Sequence, residues 1–203
     1  FLDDGDLEYK RRKNITMPFA MPSLLLNRYS VNIFNKLYYA SFKSNEEKKV
    51  SVQNFFYPLD SINDWNLIYG QKGFIQFQFI LPKKNSFDDL SDILTDISDA
   101  GMGSFLAVLK LYGPQNTNWL SFPLEGYSLA LDFKIQKNLI PFINKLTSKV
   151  VAKGGRVYLA KDALLTKSQF EMSYENVNKF RDLRKELKLD ICLNSLLSKR
   201  LEL

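Results

Sequence analysis

Between residues 73 and 161 the hydrophobic period of this chain changes from two to about 3.6 and back, twice, and few architectures accommodate that order. "FIQFQFILP" alternates, with Ile75, Phe77, Phe79 and Leu81 on one side and Phe74, Gln76, Gln78 and Ile80 on the other, and Pro82 closes it. "SFDDLSDILTDISDAG" then places Leu90, Ile93, Leu94 and Ile97 at helical spacing, with acidic residues early, where the helix dipole favours them, and Gly101 as a stop. "SFLAVLKLYG" reads as a nearly all-apolar strand interrupted by Lys110. "YSLALDFKI" alternates again: Tyr127, Leu129, Leu131, Phe133 and Ile135 against Ser128, Ala130, Asp132 and Lys134. "NLIPFINKLTSKVVAKGG" is a second amphipathic helix with a glycine stop, and "RVYLAK" a fourth strand. Strand, helix, strand, strand, helix, strand predicts an α+β fold, the ferredoxin-like split βαβ arrangement: an antiparallel sheet with helices on one face. The other face carries Gln76, Gln78, Ser128, Ala130, Asp132 and Lys110 or its neighbours, and must be solvated or cover a ligand.

The flanks are less regular. Residues 1–19 are polar and carry no clear period; their basic run Lys10-Arg11-Arg12-Lys13 reads as a solvated turn, with phosphate or membrane contact as the alternative. "PSLLLNRYSVNIFNKLYYASF" predicts one or two helices packed on a core, "SNEEKKV" a charged loop, and "QNFFYPLDSINDW" an extended segment entering a short helix capped by Asp60 or Ser61. After Lys161 the chain becomes helical and highly charged and is expected to dock outside the split βαβ unit. Trp65 and Trp119 are expected to pack rather than stack on a ligand.

Composition narrows the chemistry. With no histidine, serine–histidine and cysteine–histidine nucleophile systems and histidine-ligated metals are excluded. One cysteine, Cys192, excludes internal disulfides and thiolate-rich zinc sites; its spacing with Leu189, Leu193 and Leu196 predicts a core position on a helix. A lone cysteine fits a reducing, cytoplasmic compartment, with membrane association as the alternative. No run of about 20 apolar residues is present to span a bilayer. The opening "FLDDGDLEYK" has neither an initiator methionine nor a signal-peptide core, so a piece of a longer polypeptide is expected. The net charge of +6 permits an RNA-binding sheet, which would stack bases on its open face; Phe77 and Phe79, however, fall on the side assigned to the helices. A regulatory small-molecule module is a third reading.

Within "GGRVYLAKD", Lys161 either snorkels to solvent or aims a cation at an anionic group in a cleft. Tyr158 is out of strand phase with it, so the two share a face only if the strand ends between them. Lys110, costly to bury alone, either reaches a cleft or pairs with a carboxylate such as Asp132.

The runs "FFYPLDSINDWNLIYGQKGFIQFQFILP", "FLAVLKLYGPQN", "LSFPLEGYSLALDF", "GGRVYLAKD" and the terminal "SKRLEL" together resemble the C-terminal half of FAD-dependent oxidoreductases of the vanillyl-alcohol oxidase superfamily, over roughly residues 35–203. The resemblance implies a substrate-binding (cap) domain over residues 1–155, incomplete at its N-terminus, whose sheet roofs the flavin. It implies that residues 156–203 return to a flavin-binding domain carried upstream in the same polypeptide. It implies Lys161 and Tyr158 as catalytic and FAD-contacting residues. Gln76, Gln78, Lys110 and Tyr112 become substrate-binding residues, with Ser128 and Ala130 where the nearest family member has asparagine and cysteine. The implied chemistry is oxidation of an alcohol carbon of a sugar or similar substrate by hydride transfer to FAD. The implied partners are the flavin-binding domain, the substrate and, as a further candidate, a reductase; nucleic acid is not expected.

Overall fold

A computed structural model describes residues 14–22, 27–41, 47, 50–57, 59–104 and 106–203, so the run Lys10 to Lys13 and most of "SNEEKKV" lie outside the described residues. The chain forms two compact units, Phe1–Gly73 and Phe74–Leu203.

In the first unit, β1 (Ile15–Thr16) pairs in parallel with β2 (Ile62–Asn63). Helix α1 (Arg28–Ala40) starts where Asn27 can cap it: the Asn27 side chain accepts from the N–H groups of Tyr29 and Ser30, and the Ser30 hydroxyl accepts from the Asn27 N–H. The expected helix is present, but not the expected packing. Ile33, Leu37 and Tyr38 are 58%, 68% and 58% exposed. "QNFFYPLDSINDW" also departs from expectation. Ser51 accepts from the Asn54 N–H and starts α2 (Val52–Phe56), and neither Asp60 nor Ser61 caps a helix, because both lie in the 3-10 turn Leu59–Ser61. A serine three residues ahead of an amide outcompetes the weak extended preference of this run.

The second unit contains the patterned region. Its sheet is built from β3 (Phe74–Pro82), β4 (Ala107–Tyr112), β5 (Gly126–Lys134) and β6 (Arg156–Val157), in the order β4-β5-β3-β6, with every neighbouring pair antiparallel. That is the split βαβ order. Helices α3 (Ser86–Asp99) and α4 (Leu139–Ala152) bury Ile93, Ile97, Ile143, Leu146 and Val150 in one cluster with Phe77, Phe79, Leu81, Leu129, Leu131 and Phe133. The period-two faces thus fall as the alternation predicts.

Two glycines let the chain pass close beside β3: a Cβ on Gly126 would lie 1.9 Å from the Leu81 carbonyl oxygen, and one on Gly155 would lie 2.5 Å from that of Ile80. The acidic side of α3 faces basic α4. Lys149 bonds Asp92 and Asp96 at 2.6 and 2.7 Å, and Lys153 reaches Asp89 at 2.5 Å. Lys149 and Lys153 hold the Asp92 carboxyl below its ordinary value.

Three expectations change here. The fourth strand is only Arg156–Val157; Leu159–Lys161 is a 3-10 turn, in which the Lys161 N–H bonds the Tyr158 carbonyl at 2.9 Å. The C-terminal segment, expected to dock outside the split βαβ unit, packs into its core. Along α5 (Lys167–Ser173), α6 (Val177–Glu186) and α8 (Leu196–Leu201), the side chains of Phe170, Val177 and Leu201, with Leu165 and Tyr174, enter the main core at 0–3% exposure. Cys192 is exposed rather than core. Its helix, α7 (Leu189–Cys192), is four residues long, and Leu193 leaves helical geometry, so the predicted apolar stripe never assembles.

Candidate functional site

Strand register decides which side chains share the open face. Gln76 lies opposite Asp132, Gln78 opposite Ala130 and Ile80 opposite Ser128. Lys110 also lies opposite Ser128, and Tyr112 opposite Gly126. Arg156 lies opposite Ile80. The Tyr158 N–H still donates to the Gln78 carbonyl at 2.8 Å, which extends the register one residue past β6 before the chain coils. The sheet therefore brings Gln76, Gln78, Lys110, Tyr112, Ser128, Ala130 and Tyr158 to one side, and the turn sets Lys161 just beyond. Sheet bonding continues through Tyr158, and the chain has turned before Lys161.

This face is not uniform. At one end, residues 113–125 fold back over it: Ile80, Phe122 and Leu124 form a small second core against which Tyr112 and Tyr158 pack. The Phe122 ring meets Tyr112 edge-on at 6.0 Å and lies 4.6 Å from Tyr158 at an interplanar angle of 37°. At the other end the groups are polar. Gln78 is buried and its amide nitrogen donates to the Ser128 hydroxyl at 3.1 Å, so this pair satisfies itself. Ala130 leaves a small wall between them and Val108.

The remaining candidates have no such partner. Among the described residues no side-chain hydrogen bond or ion pair engages Gln76, the hydroxyls of Tyr112 and Tyr158, or the ammonium groups of Lys110 and Lys161. Lys110 is exposed on the edge strand β4, so neither the Asp132 pair nor a burial cost arises for it. Asp132 is almost completely buried. Lys161 is exposed in its turn. The carboxylate beside it does not neutralise it: Asp162 bonds Arg200 at 2.6 Å and accepts from the N–H groups of Leu164 and Leu165 at 2.9 and 2.8 Å. Arg200 thus pairs with the carboxylate next to Lys161 in sequence and leaves the ammonium without an ion-pair partner among the described residues.

Sequence reading missed Arg156. Its guanidinium is buried, donates to the Ser121 carbonyl at 2.8 Å, stands 5.3 Å from the centre of the Tyr174 ring, and keeps its Nε without a partner. No carboxylate lies within ion-pair distance among the described residues. Burial lowers its pKa from the ordinary value, and the field of Tyr174 and Glu175 opposes that shift. An arginine in a strand reads as an exposed edge, and nothing local signals its burial. Trp119 is 38% exposed and, with Ser121, Phe180 and Leu183, lines an open depression of about 460 Å³, to which none of the candidate residues contributes.

Over 202 of its 203 residues the chain is 32% identical to decaprenylphosphoryl-beta-D-ribose oxidase of Mycolicibacterium smegmatis, and it covers 44% of that protein. An uncharacterized protein in the mprA 5' region of Streptomyces coelicolor is 31% identical over 117 residues, 57% of this chain and 32% of its own length. The chain thus spans less than half the length of these curated relatives. No family model matches it. The resemblance carried by the sequence motifs is therefore to an oxidase, and it extends from one end of the chain to the other.

Proposed function

We propose that this chain is the substrate-facing part of a flavin-dependent oxidoreductase that oxidises an alcohol carbon of a sugar or similar substrate. The observation that carries this reading is the coincidence of full-length similarity to an oxidase with an un-neutralised Lys161 at the end of an open sheet face. FAD, when bound, supplies the two-electron acceptor for the hydride leaving the substrate carbon. The residues here fit its ring: an ammonium without a counter-ion and a tyrosine hydroxyl without a partner suit a group that becomes more negative on reduction. Its pyrophosphate is held, in this proposal, by polypeptide outside this chain.

The roles follow from chemistry. Lys161 holds a fixed positive charge where negative charge develops, and needs no reorganisation to do so. Tyr158 donates a hydrogen bond from its hydroxyl to the substrate or the ring. Gln76 and Lys110 orient the substrate's hydroxyl groups, and Tyr112 walls the site. Gln78 and Ser128 satisfy one another, so they shape the floor rather than grip the ligand, and Ala130 leaves it room. Phe77 and Phe79, the aromatics an RNA-binding sheet would need on its open side, are 2% and 0% exposed under the helices, which disfavours that rival.

The test is Lys161→Ala in the protein that includes the flavin-binding polypeptide. Flavin reduction is expected to slow by roughly 10²-fold or more, the scale of losing one aimed electrostatic group. A rate within a factor of about two of wild type removes Lys161 from the mechanism.

A further inference from the structure

Arg156 and the segment it holds have no part in the roles above, yet they occupy the open face. A buried cation without a counter-ion stabilises a fold poorly, because its desolvation is repaid only by neutral acceptors. What Arg156 does accomplish is positional. Its Nη1 fixes the Ser121 carbonyl at 2.8 Å, and a second, longer bond from Nη2 reaches the Gln115 side chain at 3.4 Å. Both partners lie in residues 113–125. One residue beyond Ser121, Phe122 is 5% exposed and wedged between Tyr112 and Tyr158.

We infer that Arg156, through Ser121 and Phe122, is a positioning device for Tyr158, and that the Phe122 wedge confines any ligand to the polar half of the open face. Tyr158 follows the last residue of a two-residue strand and precedes a 3-10 turn; two backbone bonds hold its main chain, from its N–H to the Gln78 carbonyl and from the Lys161 N–H to its own carbonyl, and neither orients the ring. Its hydroxyl has no partner among the described residues. The face of Phe122 therefore supplies the ring contact that selects one orientation, and the guanidinium keeps Phe122 from swinging out with its loop. The same wedge covers Ile80, which leaves Gln76, Lys110, Ala130 and the Tyr158 hydroxyl as the ligand's share of the face. The ring-positioning part stands on this chain alone; the identity of the ligand rests on the flavoenzyme reading.

The experiment uses the chain with tyrosine rings labelled with ¹³C, the Tyr158 signal being assigned through Tyr158→Phe and the fold monitored by the Leu146 and Val150 methyl signals. In the wild type the Tyr158 ring is expected to be as ordered as a rigid group, and in Phe122→Leu its order parameter to fall from roughly 0.85 towards 0.6. Phe122→Tyr, which keeps the ring face, is expected to restore it. Arg156→Met, or Arg156→Lys should the first not fold, is expected to loosen Tyr158 in the same direction. An unchanged order parameter in Phe122→Leu overturns the wedge, and one in the Arg156 variant overturns the relay.

In the flavin-containing protein, Phe122→Leu is expected to lower kcat, and the double variant with Tyr158→Phe to be no slower than Tyr158→Phe alone. Losses that multiply overturn positioning through Tyr158. Absence of flavin-dependent turnover in the wild type would instead sink the proposed function and leave the ring-order result standing.

Discussion

The two faces of the β3–β5 pair are made from one alternating run on each strand, yet they behave differently. The covered face is Phe77, Phe79, Leu81, Leu129, Leu131 and Phe133, all at 4% exposure or less and sealed by α3 and α4. The open face alternates with it residue for residue, but combines a ring-filled apolar end with a polar end whose groups are partly self-satisfied and partly free. The covered face is the same physics repeated: apolar area removed from water at about 25 cal/mol per Å². The open face keeps solvated donors and cations, which contribute little to folding. Apolar and polar surfaces are thus separated by a single residue's step along the strand.

That separation can be broken experimentally. The largest effect belongs to the covered face: Phe79→Ala is expected to cost about 3–5 kcal/mol in chemical denaturation, through lost transfer energy and a cavity. A loss below about 1 kcal/mol would mean the helices do not seal this face as described.

Tyr174 sharpens the comparison at the edge of the covered side. Its hydroxyl donates to the Val157 carbonyl at 2.6 Å, and burial pushes its pKa well above the ordinary value of 10.0. Tyr174→Phe is expected to cost about 1–2 kcal/mol, the range for a buried hydrogen bond. A group whose folded pKa is raised contributes fully below its unfolded value and loses that contribution as pH rises past it. The gap between wild type and variant should therefore be constant below pH 10 and narrow above it. A gap that widens with alkali would contradict the buried neutral hydroxyl.

The smallest stability effect belongs to the open face. Gln76→Ala is expected to change unfolding by less than about 0.5 kcal/mol, while weakening substrate binding in the flavin-containing protein by roughly tenfold, the scale of one hydrogen bond. A large stability loss there would make Gln76 a fold residue and shrink the site.

The second unit was more legible than the first because its signals agree. In β3 and β5 alternation, turn residues and stops all favour one answer; at α3, spacing, early acids and the Gly101 stop do the same. In "PSLLLNRYSVNIFNKLYYASF" the spacing specified a helix, which α1 is, but not its burial, and Ile33, Leu37 and Tyr38 are exposed. Within the site, Gln76, Gln78, Ser128 and Ala130 were readable as one face from periodicity alone, because a strand has no freedom to place them otherwise. Arg156 and Phe122 were not. A buried guanidinium with a carbonyl partner 35 positions away leaves no local trace, and Phe122 sits in a segment without a period.

What the amino-acid order determined by itself is the element sequence, the sheet's two faces and the absence of histidine chemistry, since these depend on local periods and residue types. Tertiary structure alone decided that the fourth strand stops after two residues and that Asp162 belongs to Arg200. It also decided that the C-terminal helices join the main core and that Phe122 and Leu124 pack over Ile80 on the open face. Those outcomes turn on contacts between distant residues, whose energies depend on which burial and pairing options the whole chain leaves available.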